Sequence, residues 1–190
     1  MDAPVTAVYD ANVLFPAPLR DLLVRVAQAG LVRARWTETI HDEWTRGVLA
    51  ANPRLSPERL ARTRNLMNAA IRDCLVTGYD DLTESLSLPD RDDRHVLAAA
   101  IRAAAGVIVT FNLKDFPAAE LARYGIEARY PDDFLASLCE AFPGAMNAAF
   151  RRQREGLTNP PLTAQELLAI LENQGLKRTV ARIRPMADLP

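Results

Sequence analysis

The chain is poor in the residues that build covalent or metal-stapled scaffolds. Its 190 residues hold two cysteines, Cys74 and Cys139, and two histidines, His41 and His95. Two cysteines are too few for a disulfide framework, so they read as buried free thiols of a reducing cytoplasm. Neither C-x-x-C nor H-x-x-x-H spacing occurs, which argues against a structural zinc site. No apolar run approaches the roughly 18 residues needed to cross a bilayer, so no membrane association is expected. The start, Met1-Asp2-Ala3-Pro4, lacks a basic segment followed by an apolar one, and a secretory signal is not expected. No internal repeat is visible. With 49% hydrophobic and 25% charged residues, the composition excludes disordered, collagen-like and low-complexity chains. A body of this size buries roughly 70% of its unfolded surface, enough for a real core.

The net charge of −1 hides an asymmetry. Residues 1–150 carry 16 basic and 20 acidic side chains, and residues 151–190 carry 7 and 4. Local patches, not the total, are what a nucleic acid meets. Arg54, Arg59, Arg62, Arg64 and Arg72 form one basic segment; Arg151, Arg152 and Arg154 form another. Arg59 and Arg62, three apart, share a helix face, and with Arg54 they are candidates for a nucleic-acid track. A solvated, ion-paired face explains them equally well.

Periodicity sketches the elements. Val5–Tyr9 reads as a buried strand ending at Asp10. Pro16 and Pro18 open a helix with Leu19, Leu22, Leu23 and Val26 at helical spacing, stopped by Gly30. A second helix covers about 37–51, and Ser56-Pro57-Glu58 starts a third that runs to about 73. Leu75–Thr77 is a candidate short strand. An alanine-rich helix spans 95–105, ended by Gly106, and Val107–Thr110 is the clearest buried strand. A short helix over 115–124 and a strand over 126–130 follow, then a helix from Pro131 to Pro143. This alternation predicts a mainly parallel α/β sheet between helical layers. After it the strand signals stop, so residues 1–144 are expected to form an α/β domain and 145–190 a helical extension. Trp36 and Trp44 read as core or partner-facing residues.

Carboxylates fall where an α/β sheet presents its ligands, outside the carboxyl ends of strands. Asp10 follows the first strand, and Asp115 follows the Val107–Thr110 strand by one turn of loop. Glu43 lies inside the second helix. Asp90, Asp92 and Asp93 open the alanine-rich helix. Taken singly, each has an ordinary explanation: an Asx turn or cap for Asp10 and Asp115, a favourable helix N-terminus for the three aspartates, a solvated helix residue for Glu43. Jointly they carry a cost. Two carboxylates ~4 Å apart repel by about 4 kcal/mol at an effective dielectric near 20. Converging acids must bind protons or hold cations, and hard oxygen donors suit Mg²⁺ or Mn²⁺, whose chemistry includes phosphodiester hydrolysis.

Residues 5–140 resemble the PIN-domain nucleases, and in particular the VapC toxin ribonucleases of bacterial toxin–antitoxin pairs. The resemblance rests on four blocks in order: Val8-Tyr9-Asp10-Ala11-Asn12-Val13-Leu14-Phe15, the 37–44 helix with Glu43, Asp90-Arg91-Asp92-Asp93-Arg94-His95-Val96-Leu97-Ala98-Ala99-Ala100, and Val107-Ile108-Val109-Thr110-Phe111-Asn112-Leu113-Lys114-Asp115-Phe116. The tail, with Asn159-Pro160-Pro161-Leu162-Thr163-Ala164, is similar to an extension seen in a subset of these toxins.

The resemblance implies a three-layer PIN-like fold and an endoribonuclease in which Asp10, Glu43, Asp93 and Asp115 hold one or two Mg²⁺ or Mn²⁺ ions that activate water for in-line attack on RNA. Asp90 and Asp92 share or exchange the duty of Asp93. Asn12 and Thr110 support the ligands. Asn112 stands where some PIN domains carry a further acid, a departure that leaves the number of metal ions, one or two, open. The resemblance further implies a cognate antitoxin protein that occludes the site, and a homodimer supported by the apolar sides of the 57–73 helix and the alanine-rich helix. His95, two residues after Asp93, is either a substrate contact or a partly buried helix residue. Two rivals remain at this level. A haloacid-dehalogenase-type phosphatase would use Asp10, Thr110 and Lys114, but it needs a second acid where Asn12 stands. A PIN module that binds RNA or protein without cutting would hold no tight Mn²⁺ site.

Overall fold

The computed structural model describes residues 3–187, so Met1 and Asp2 of the N-terminal stretch read above, and the last three residues of the extension, lie outside it. Strand β1 (Val5–Tyr9) is the hub of a four-stranded sheet of order β2-β1-β3-β4, with β2 at Val32–Arg35, β3 at Val107–Val109 and β4 at Glu127–Arg129. All three pairings are parallel: Val5 faces Val32, Ala7 faces Val107, and Val107 faces Glu127. The carboxyl ends of β1 and β3 therefore lie side by side. Ala7, Val8, Tyr9, Ile108 and Val109 are fully buried, as strands covered on both faces must be.

Helix α1 (Ala11–Leu14) follows β1 at once, and α2 (Ala17–Gln28) leads back to β2. Helix α3 (Glu38–Ala51) is capped by Thr37, whose hydroxyl accepts from Ile40 N, and α4 (Pro57–Ala70) by Ser56, which accepts from Arg59 N. After α5 (Asp80–Thr83) comes the alanine-rich α6 (Arg94–Arg102), packed on β1 and β3. Helices α7 (Ala118–Leu121) and α8 (Pro131–Ala141) flank β4 in the chain. The expected α/β/α layering with a parallel sheet is thus realised. Among the described residues no helix is long and apolar enough to cross a membrane.

Helices α9 (Pro143–Gly156), α10 (Ala164–Asn173) and α11 (Lys177–Ile183) make up the tail. Thr163 and Glu166 form a reciprocal capping box at the start of α10. The tail is pinned by Asp132, which is only 6% exposed at the start of α8. Its carboxylate accepts from Arg178 N at 2.9 Å, Thr179 N at 2.8 Å and Thr179 Oγ1 at 2.8 Å, tying the first turn of α11 to α8. Arg178–Asp133 and Arg182–Glu140 ion pairs run along the same seam.

Several elements differ from the sequence reading. Strand β2 was not expected. Leu75–Thr77 is not a strand: Leu75 forms one isolated parallel bridge with Trp36, in which Trp36 N donates to Cys74 O and Val76 N to Trp36 O. The helix expected over 115–124 is broken into a 3₁₀ turn at Leu113–Asp115, α7, and another 3₁₀ turn at Ala122–Tyr124. Pro117, with no N–H to give, separates the first two. Helix α6 ends before Gly106, on Ala104 in a left-handed conformation (φ 48°). Gly106 N instead joins the sheet by donating to Thr6 O. The tail helix begins at Pro143, two residues before Ala145. The apolar side of α6 is spent inside the chain, since Val96 to Ala100 are all buried; α4 leaves Leu66 exposed.

Both tryptophans are core residues. Trp36 and Trp44 flank the buried His41, and Trp44 Nε1 donates to His41 Nδ1 at 2.9 Å. That fixes the proton on Nε2, which points at Asn68 Oδ1, 2.9 Å away. Asn68 Oδ1 also accepts from Trp36 Nε1 at 2.8 Å. Burial pushes the His41 pKa down, in keeping with a neutral ring whose Nδ1 must accept. Both cysteines are buried free thiols.

Candidate metal centre

Asp10 stands at the carboxyl end of β1, 4% exposed, as the N-cap of α1. Its carboxylate collects three donors: Ala11 N at 2.7 Å, Asn12 Nδ2 at 2.6 Å and the Thr110 hydroxyl at 2.7 Å. Thr110, fully buried at the end of β3, in turn accepts from Asn12 Nδ2 at 2.9 Å and from Asn112 N at 3.0 Å. Asn12 Oδ1 accepts from Phe111 N at 3.0 Å. The result is a closed polar lattice that locks the ends of β1 and β3 together and leaves no rotational freedom to the Asp10 carboxylate. Burial raises the Asp10 pKa, while the Thr110 and Ala11 donors oppose the rise and the nearby Glu43 adds to it.

Asp90, Asp93 and Asp115 each offer a carboxylate oxygen, and these three oxygens lie within 4.8 Å of one another. Asp93 occupies the N-cap position of α6 yet makes no side-chain capping bond. Its carboxyl therefore faces other acids instead of the helix it precedes. Its pKa is pushed up to about 7, first by burial and then by the negative charges of Asp10, Asp90 and Asp115, with His95 opposing. Asp115 ends the 3₁₀ turn after β3 and is held by Asn112 Nδ2. Asp90 is exposed and folds an Asx turn by accepting from Asp92 N at 2.9 Å. Asp92 is exposed and stands outside the oxygen cluster. Glu43, on α3, is also outside it; Glu43 Oε1 sits 2.9 Å from His95 Nε2. Electrostatically the groups still form one centre, because Asp10 feels Glu43 and Asp93 feels Asp10.

Comparison with known proteins fits this geometry. Residues 6–114, more than half of the chain, match the family model described as PIN domain. The chain belongs to the PIN-domain family. Residues 131–185 match a second model, described as VapC50 C-terminal domain. A curated relative, "Putative ribonuclease VapC50" of Mycobacterium tuberculosis, is 42% identical over 97 residues, which are 51% of this chain and 57% of that protein. The chain thus spans little more than half the length of that relative. No solved structure matches.

Within this PIN domain, the spacing of the four blocks becomes spatial. Asp10, Asn12, Thr110, Asn112 and Asp115 are brought to one sheet edge by two adjacent parallel strands. Glu43 and the Asp90–Asp93 segment are added by α3 and α6. The residue that local pattern left undecided is His95. It holds Glu43, and its Nδ1 is buried with no partner among the described residues. Its only signal in the sequence was its place two residues after Asp93, in the first turn of the helix. Arg54, Arg59 and Arg62 are exposed, on the turn before α4 and on α4 itself, and none is in an ion pair among the described residues; their neighbour Arg64 instead clasps Glu38 and Asp42 of α3. Lys114, which the phosphatase reading requires, is exposed, and Asn12 is committed to Asp10; the family match removes that rival.

Proposed function

We propose that the chain is a Mg²⁺- or Mn²⁺-dependent endoribonuclease that acts as the toxin of a toxin–antitoxin pair in the cytoplasm. The observation that carries this reading is the trio of Asp90, Asp93 and Asp115 oxygens within 4.8 Å, in electrostatic contact with Asp10. The PIN-family match and the ribonuclease name of the relative support it. An all-carboxylate oxygen set suits a hard divalent cation and disfavours zinc or copper. Asp10, Glu43, Asp90, Asp93 and Asp115 would hold the ion, with Asp92 as a neighbour able to exchange with Asp90. Such an ion, when bound, polarises a phosphate and makes water a nucleophile at neutral pH.

The chain's own groups prepare this. Asn12 and Thr110 fix the direction of the Asp10 lone pairs, Asn112 fixes Asp115, and His95 fixes Glu43. Outer partners of this kind commonly matter 10–100-fold to metal affinity or activity, roughly. Exposed Arg54, Arg59 and Arg62 offer contacts to RNA phosphates. Residues 1–144 are the nuclease unit and 145–190 the extension in this reading.

The test is cleavage of cellular RNA by purified protein with Mg²⁺ or Mn²⁺. Asp10→Asn and Asp93→Asn should each abolish it, and EDTA should silence the wild type. Wild-type rates in both variants would remove the mechanism. Induced alone, the chain should arrest growth, and co-expression of a small neighbouring gene should relieve the arrest; harmless overexpression of folded product would remove the toxin role and leave the nuclease. A non-catalytic module would show no tight Mn²⁺ site by calorimetry.

A further inference from the structure

Along the β2 edge of the sheet, a second charged concavity has the opposite sign. Strand β2 is an edge strand, paired only with β1. Beside it lies a cavity of about 570 Å³ whose wall includes Pro4, Gly30, Arg33, Arg35, Arg72 and Asp73. Arg33 and Arg35 alternate with the buried Val32 and Ala34, so the strand's period of two turns both arginines away from the core. Arg72 arrives from the turn after α4. Among the described residues, none of these three arginines is in an ion pair with a carboxylate. Among the described residues ten other ion pairs do form, so acids were available to the fold and were not used here. Arg35 is instead steadied by main-chain oxygens, its Nη1 donating to Ala34 O at 3.4 Å and Arg72 O at 3.5 Å. Those contacts orient the guanidinium and leave its charge uncompensated. Asp73, exposed on the rim, is the single acid of the wall.

Three unpaired guanidiniums around one concavity repel one another and are relieved by an anion. Arginine's planar donor fork suits phosphate oxygens in particular. The geometry points to a phosphate-binding exosite at the β2 edge, outside the acid cluster, that engages the sugar–phosphate backbone of single-stranded RNA. The inference rests on the ribonuclease reading above and extends it. Register places Arg33 beside Thr6 and Arg35 beside Val8, four and two residues before Asp10, or ~14 and ~7 Å along the strand. At ~3.4 Å per stacked phosphate, a substrate would need about four nucleotides to reach from Asp10 to Arg33. The exosite therefore makes affinity depend on RNA length, and it contributes nothing to a fragment shorter than that span.

The experiment measures fluorescence anisotropy of labelled RNA on the full chain in EDTA, where no cleavage occurs. Arg33→Glu/Arg72→Glu reverses two exposed side chains outside the proposed catalytic machinery. Arg35, which braces the backbone, is left in place. A second double variant, Arg152→Glu/Lys177→Glu, makes the same change in net charge on exposed positions of the tail. For single-stranded RNA of about 20 nucleotides, the exosite variant should bind at least ~10-fold more weakly, with a salt slope smaller by about 1.4, two contacts at ~0.7 each. The tail variant should match the wild type, and a labelled trinucleotide should bind all three proteins alike. Equal losses in both double variants, or no loss in the exosite variant while wild type binds, would overturn the exosite and leave the nuclease reading intact. Wild type that binds no RNA in EDTA would overturn the exosite, while the nuclease reading stands or falls on the cleavage assay with Mg²⁺ or Mn²⁺. Arginine-dependent binding of inorganic phosphate without any effect on RNA would assign the cavity to a small phosphate and overturn the RNA backbone as its occupant.

Discussion

Asp93 is the side chain whose surroundings oppose its charge most. The N-terminus of α6 favours an anion by ~0.3–1 kcal/mol. Burial and three neighbouring carboxylates outweigh that, since its pKa rises from 3.8 to about 7. A folded-state pKa above the unfolded value means that the native protein binds the proton more tightly. Stability then falls as pH climbs from about 4 to about 7, and the ionised side chain is a native-state liability above that. Asp93→Asn removes this liability and sacrifices no capping bond, because Asp93 makes none. In EDTA at about pH 8 the variant should therefore melt at a higher temperature than the wild type, with the difference shrinking toward pH ~4. Millimolar Mn²⁺ should raise the wild-type midpoint and move the variant much less. A variant that melts lower than the wild type in EDTA at alkaline pH would show that Asp93 is not crowded by charge. Asp10 poses the complementary case, a buried carboxylate stabilised by three donors. Thr110→Val deletes one donor to Asp10, and the acceptor of Asn12 Nδ2 and Asn112 N, at nearly constant volume. It should reduce RNA cleavage by roughly 10–100-fold while the near-native circular dichroism persists. Unchanged cleavage would mean that the Asn12 and Ala11 donors suffice.

At the scale of elements, Asp132 shows what one carboxylate does for a whole segment. It satisfies two main-chain N–H groups at the start of α11 and the Thr179 hydroxyl. Asp132→Ala would strand those donors in a buried seam at ~1–3 kcal/mol each, so a loss of about 3 kcal/mol or more is expected. For a chain of this size that lowers the melting temperature by roughly 6–12 °C, measurable by calorimetry. Urea unfolding followed by trypsin should show cleavage near Lys177 and Arg178 first; an intact α11 in the variant would mean that the apolar contacts of Val180 and Ile183 hold it alone. Such seams were not legible beforehand. Helices with proline, serine or threonine at the start and apolar residues three and four apart were readable to within a few positions, as α2, α3, α4 and α8 show. Strand β2 was not, because Val-Arg-Ala-Arg is four residues long and half arginine. It becomes a strand only through its register with β1, which is a tertiary fact. The reverse holds for Leu75–Thr77, whose β-like composition yields a single bridge because no partner runs alongside it.

For the molecule as a whole, order along the chain and convergence in space are separate facts, and a parallel sheet links them. Once β1 and β3 are neighbours in the same direction, Asp10 and the Thr110–Asp115 segment must share an edge. That much followed from two strands each ending in polar residues. The pairing of Glu43 with His95, 52 positions apart, and the inward turn of Asp93 did not, because they depend on how α3 and α6 pack. The same convergence sets how a divalent ion would compete with protons. With the Asp93 pKa near 7, a cation entering the Asp90–Asp93–Asp115 cluster below that pH must displace a proton. Apparent Mn²⁺ affinity should therefore rise with pH, by up to tenfold per unit below about pH 7, and level off above it. Calorimetry at about pH 6 in two buffers of different ionisation enthalpy should register close to one proton released per ion, and fewer at about pH 8. Asp93→Asn should bind Mn²⁺ more weakly and lose most of this pH dependence, since the group whose proton the ion displaces is gone. An affinity flat from about pH 5.5 to 8 would mean that Asp93 is already ionised there, and that its negative neighbours lie farther from it than the acid cluster requires.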